Sequence, residues 1–199
     1  MISFLAKGGI LVIPILFCSV IALTIVLERL YQFRKLKIKN PDLPMEIQKA
    51  LKEQKTNGAL SMAENSKGIL GKVLREGIKR YGRGKEAIEK ALSNAAEREV
   101  EELERHLPVL ATVGNIAPLL GLLGTVTGMI RAFMVIERLG GRVNASVLAG
   151  GIWEAMLTTA LGLSVAIPTV VAHNYLVNRV RSFTTTLQNR LNEFLEGIG

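Results

Sequence analysis

One acid and two adjacent hydroxyls stand in an otherwise apolar stretch of this chain. The stretch runs from Gly151 to Tyr175, GIWEAMLTTALGLSVAIPTVVAHNY; the acid is Glu154 and the hydroxyls are Thr158 and Thr159. It is long enough to cross a bilayer, where a carboxylate is costly and is usually kept for ion movement or helix pairing. A hydroxyl donates and accepts, so it can orient water or a carboxyl on a proton path. It can equally bond its own preceding turn, as many membrane threonines do. Glu154 has three readings: an interfacial residue, a helix-pairing group, or a carboxyl that takes in protons.

The surroundings of these groups follow a helical period. Advancing about 100° per residue from Glu154 gathers Ala155, Thr158, Thr159, Gly162, Ala166, Thr169 and His173 on one side. Most of the bulky residues, such as Met156, Leu163, Ile167 and Val171, lie on the other. A second apolar run behaves alike. From Gly114, the residues Ala117, Gly121, Gly124, Thr125, Gly128 and Ala132 fall within about 100° of one another, and the leucines fall elsewhere. Small stripes of this kind let helices approach closely, as in Gly124-x-x-x-Gly128. Close packing accounts for Gly121, Gly124, Gly128 and Gly162. It does not require the hydroxyl of Thr125.

Three apolar runs supply the elements that must hold these groups. Gly9 to Leu27 carries no charge, Leu107 to Ile136 carries only Arg131, and Gly150 to Val177 carries only Glu154 and His173. None alternates apolar with polar residues, so helices rather than barrel strands are expected. The fold class expected is an all-α integral membrane protein with three transmembrane helices, the second and third extending into the cytoplasm. The expected divisions are a first span at 1–33, a cytoplasmic helical region at 34–106 and a second span at 107–137. An outer loop at 138–149, a third span at 150–177 and a cytoplasmic C-terminal helix at 178–199 complete them.

The formal net charge is +8 over 199 residues, of which 49% are hydrophobic. This is not read as a nucleic-acid footprint, because the cations sit where topology needs them. Arg29, Arg34, Lys35, Lys37 and Lys39 follow the first run, Arg98 and Arg105 precede the second, and Arg179 and Arg181 follow the third. The positive-inside rule then puts the N-terminus outside and the C-terminus in the cytoplasm. Arg131 is expected to reach the outer headgroups. The first run ends in Glu28-Arg29 without a small-residue cleavage site, so it reads as a span rather than a cleaved signal. The lone Cys18 excludes an intrachain disulfide and a multi-cysteine metal site.

Between spans one and two, Pro41 and Pro44 mark a turn and 45–54 reads as a short helix. Asn57-Gly58, Ser66-Lys67-Gly68 and Gly82-Arg83-Gly84 read as breaks, and Ile69, Val73, Leu74 and Ile78 recur at helical spacing. A strong helical pattern starts at Lys85 and is expected to run into span two without a linker. Its acids Glu97, Glu99, Glu101, Glu102 and Glu104 read as a solvated face, or else as a patch for a partner's basic tail. Val180, Phe183, Leu187, Leu191 and Phe194 read as an amphipathic helix or a coiled-coil seam. No hydrolase, zinc-protease or Walker sequence is present, so no catalytic residue, metal or cofactor is assigned.

The segments LATVGNIAPLLGLLGTVTGMIRAF from Leu110 and GIWEAMLTTALGLSVAIPTVVAHN from Gly151 resemble the MotA/TolQ/ExbB proton-channel family. The resemblance covers nearly the whole chain. It implies an energy-coupling subunit, not an enzyme, in a bacterial inner membrane. Such proteins form a homo-oligomer, a pentamer whose second and third spans line a pore. An ExbD/TolR-like single-span partner there carries the proton-binding aspartate, and a TonB- or TolA-like protein receives the work. By motif position, Thr125 and Thr159 match the pore threonines and Glu154 the acid five residues before the latter. Thr158 falls where relatives often have alanine, and is set with them as a pore-lining candidate. Three spans argue against MotA proper. An ExbB-like chain is favoured, with a TolQ-like envelope-maintenance subunit or a non-conducting scaffold as the alternatives.

Overall fold

The computed structural model describes residues 9–35, 40–66, 68–138 and 145–198. All regular structure among them is helical: α1 Val12–Lys35, α2 Leu43–Lys52, α3 Thr56–Asn65, α4 Ile69–Ile78, α5 Lys85–Glu104, α6 Leu107–Arg138 and α7 Ala145–Glu196. Among the described residues, three helical stretches are long and apolar enough to cross a membrane: Val12–Phe33, Lys85–Arg138 and Ala149–Glu196. The chain is thus an all-α, multi-pass membrane protein. It divides into two compact units, Met1–Glu28 with His106–Tyr175, and Arg29–Arg105 with Leu176–Gly199.

The first unit holds the apolar parts of α1, α6 and α7. Leucines and aromatics cover its outside, among them Phe17, Leu119, Leu122, Phe133 and Ile167, all more than half exposed. Where α6 meets α7 its interior is built of small residues, while Ile15, Leu107 and Leu110 are buried beside them. Pro118 and Pro168 lie inside α6 and α7. Each removes one backbone donor and frees one carbonyl without ending its helix, as neighbours in a membrane bundle permit.

The second unit has an ordinary hydrophobic core. Leu43, Ile47 and Leu51 of α2, Val73, Leu74 and Ile78 of α4, and Ile88 and Leu92 of α5 meet Leu187, Leu191 and Phe194 of α7. The residues Val180 to Phe194, expected as an amphipathic helix or a coiled-coil seam, are therefore covered by helices of the same chain. Gln48 donates from Nε2 to the carbonyls of Glu193 (2.7 Å) and Phe194 (3.2 Å), which occupies acceptors left over in the last turn of α7.

Two local expectations need correction. Asn57 and Gly58 do not break a helix; both lie within α3. The stop falls earlier, at Gln54, which takes a left-handed conformation (φ 58°) after α2. Lys55 N–H donates to Ala50 O (2.9 Å) and Gln54 N–H to Leu51 O (3.0 Å), closing a Schellman motif with glutamine where glycine is usual. Nor does α5 run unbroken into α6. A turn at Arg105-His106 separates them, because Pro108 has no N–H to give the carbonyl of Glu104.

Arg29 also departs from expectation. It was placed among the flanking cations, yet it is buried to 1% exposure. Its Nη1 donates to Gln32 Oε1 (2.7 Å) and to the backbone carbonyls of Glu102 (3.0 Å) and Leu103 (3.3 Å). Those carbonyls end α5, where a cation is favoured by the helix dipole and by orphan acceptors. Arg34, Lys35, Lys37 and Lys39, and also Lys7 and Arg142, lie outside the described side chains.

Candidate functional site

The two small stripes face each other within one chain. Helices α6 and α7 run antiparallel, and their contacts descend like the teeth of a zip. Gly114 meets Val170, Ala117 meets Gly162, Gly121 meets Thr159, Gly124 meets Thr158, Gly128 meets Ala155, and Ala132 meets Gly151. The approach leaves no space for a methyl. A Cβ on Gly162 would lie 2.5 Å from the Ala117 carbonyl oxygen, and one on Gly128 would lie 2.9 Å from Ala155 Cβ. A Cβ on Gly121 would lie 3.0 Å from the Thr159 backbone, and one on Gly124 would overlap the Thr158 side chain. Only glycine allows this spacing, which is how membrane helices gain contact when lipid offers no hydrophobic advantage.

The hydroxyls divide by partner. Thr125 Oγ1 donates to Leu122 O (2.7 Å) and Thr158 Oγ1 to Glu154 O (2.8 Å), both within their own helices. Thr159 Oγ1 instead crosses to the other helix and donates to Gly121 O (2.8 Å). Gly121 is one turn before Thr125, so the two threonines flank one backbone segment of α6. Both are half-buried. Thr158 is 1% exposed and packs between the two helices. His173 lies near the far end of the stripe, with Nδ1 at 3.4 Å from Asn174 Oδ1.

Glu154 has a partner that sequence reading missed. Arg131 Nη1 sits 3.0 Å from Glu154 Oε1. Arg131 thus turns to the neighbouring helix, where the headgroups were expected to receive it. The signal available was that the one cation and the one carboxylate of these two runs fall at the same end of an antiparallel pair. The backbone of Gly9 lies against the same carboxylate, since a Cβ there would collide with it. A cavity of about 130 Å3 opens beside the pair, lined by Thr127 and Thr158 among others. Among the described residues, no three His, Cys, Asp or Glu side chains are grouped to hold a metal ion.

This zip, with its flanking threonines, occupies a stretch that can be compared with other proteins. The model of the MotA/TolQ/ExbB proton channel family matches residues 65–189. The chain belongs to this family. Members of the MotA/TolQ/ExbB family with curated names resemble it over different extents. A Synechocystis protein named as an ExbB-like biopolymer transport protein is 34% identical over 86% of this chain and 68% of its own length. The Tol-Pal system protein TolQ of Haemophilus influenzae is 41% identical over 53% of this chain and 46% of its own. The biopolymer transport protein ExbB of Xanthomonas campestris is 43% identical over 45% of this chain and 35% of its own. The matched region includes α6 and most of α7, and so contains every rung of the zip.

Proposed function

We propose that this chain is the channel subunit of an ExbB-like motor that couples the proton motive force to work across the cell envelope. It acts with an ExbD/TolR-like single-span subunit, as a homo-oligomer of the pentameric kind, and passes work to a TonB- or TolA-like protein. It sits in the bacterial inner membrane, N-terminus periplasmic and C-terminus cytoplasmic. Thr125 and Thr159 line the pathway and Glu154 stands at its outer end. Thr158, Gly121, Gly124, Gly128 and Gly162 hold the helices together.

One observation carries this reading. From Pro108 to Met134 and from Ala155 to Ala172 there is no Asp, Glu or His. A proton crossing hydrocarbon needs a group near mid-membrane that binds and releases it, and threonine does not titrate in the working range. The carrier therefore comes from a second protein, and the hydroxyls can only orient what that protein brings. A TolQ-like role is the second reading, favoured by the local identity to a TolQ.

The test is proton flux into liposomes. The chain alone should conduct poorly or not at all. Flux should appear with the single-span partner and vanish when that partner's carboxylate becomes an amide. Equal flux from the chain alone would overturn the reading and make Glu154 the leading carrier. No flux from either preparation would leave the packing scaffold.

A further inference from the structure

The Arg131–Glu154 pair gives the carboxylate a task other than carrying protons. The two side chains come from α6 and α7 at the end where the zip finishes with Gly128 against Ala155 and Ala132 against Gly151. Beyond Arg131, the groups described around the carboxylate are uncharged: the Gly9 backbone, Ile10, Leu11, Thr127 and Thr158. Glu154 is about a third exposed on its side chain, and Arg131 about half. A carboxylate held at 3.0 Å by a guanidinium in apolar surroundings is worth most as a pair.

Resting on the motor reading above, we propose that Arg131 is a positioning residue that holds Glu154 by its carboxylate and fixes the ends of α6 and α7 to each other. Glu154 is then a strut at the mouth of the pathway. The neighbouring cavity, at about 130 Å3, has room for a few waters beside the pair.

The experiment uses the complete complex in liposomes, with oligomer mass in detergent as the assembly control. Arg131→Met should lower partner-dependent flux by about tenfold, as expected when one of two paired charges is left alone in an apolar segment. Arg131→Lys should retain flux. Two double variants should restore it to within about twofold, since a pair replaced as a whole leaves no orphan charge. These are the charge swap Arg131→Glu with Glu154→Arg, and the apolar pair Arg131→Met with Glu154→Met. Assembled complexes in which both double variants are inactive would overturn the strut and return Glu154 to proton carriage. Unchanged flux in Arg131→Met would overturn it as well. Failure of the motor reading shows separately, as absence of partner-dependent flux in the native complex.

Discussion

The two units of this chain are both all-helical, yet they are held together by opposite kinds of residue. In the polar unit, leucine, isoleucine and phenylalanine fill the core and the surface is charged. In the apolar unit, many large side chains point outward and glycine, alanine and threonine fill the contact between α6 and α7, beside a few buried aliphatics such as Ile15 and Leu110. Water explains the first arrangement, because burying apolar surface from water is favourable in proportion to area. Lipid removes that incentive, so helices there associate through close backbone approach and a few hydrogen bonds. The same helix α7 supplies Leu187 and Phe194 to one regime and Thr159 and Gly162 to the other.

The contrast is open to attack by substitutions that should hurt in opposite ways. The largest effect is expected in the polar unit. Phe194 is fully buried, and Phe194→Ala should cost about 3–5 kcal/mol by removing transfer energy and leaving a cavity. Thermal unfolding in detergent would measure it. A cost below about 1 kcal/mol would mean that this core collapses onto the gap or is not the source of stability.

In the apolar unit the damaging change is an addition. Gly162→Ala puts a methyl against the Ala117 carbonyl oxygen and should cost about 1–3 kcal/mol, although alanine is the better helix former. The same unfolding assay applies, with oligomer mass beside it. A stabilised Gly162→Ala protein would refute the zip.

The smallest effect separates the two threonines. Thr159 bonds across helices, so Thr159→Val should lose about 0.6 kcal/mol, the average for such bonds in membranes. Thr125 bonds its own turn, so Thr125→Val should leave stability unchanged. Both variants should lower partner-dependent flux. Full flux from the double variant would leave both hydroxyls with packing roles alone.

Much of this was legible from residue order, for a physical reason. Glycine and leucine recur at the helical period, so the small stripes of α6 and α7 and the seam from Val180 to Phe194 could be drawn on a wheel. A wheel shows which residues share a face but not what that face meets. The seam therefore looked free when it was covered by α2 to α5, and the two stripes could have faced neighbours instead of each other. Arg131 escaped for a related reason: a long side chain can turn to headgroups or to a partner, and only the facing helix decides. Gln54 escaped because a left-handed glutamine carries no compositional mark, while Asn57-Gly58 carries a misleading one. Pro108 is plain in the sequence, but a proline in a long helix can bend or interrupt, and the choice rests on whether a neighbour restores the lost bond.

The burial of Arg29 has a consequence in time. Its acceptors, the carbonyls of Glu102 and Leu103, lie 73 and 74 positions later in the chain. At a synthesis rate of 5–20 residues per second, the arginine is made about 4–15 s before the atoms it will hold. During that interval the guanidinium lacks both of its backbone acceptors. The cap on the end of α5 can therefore form only after α5 itself has been made.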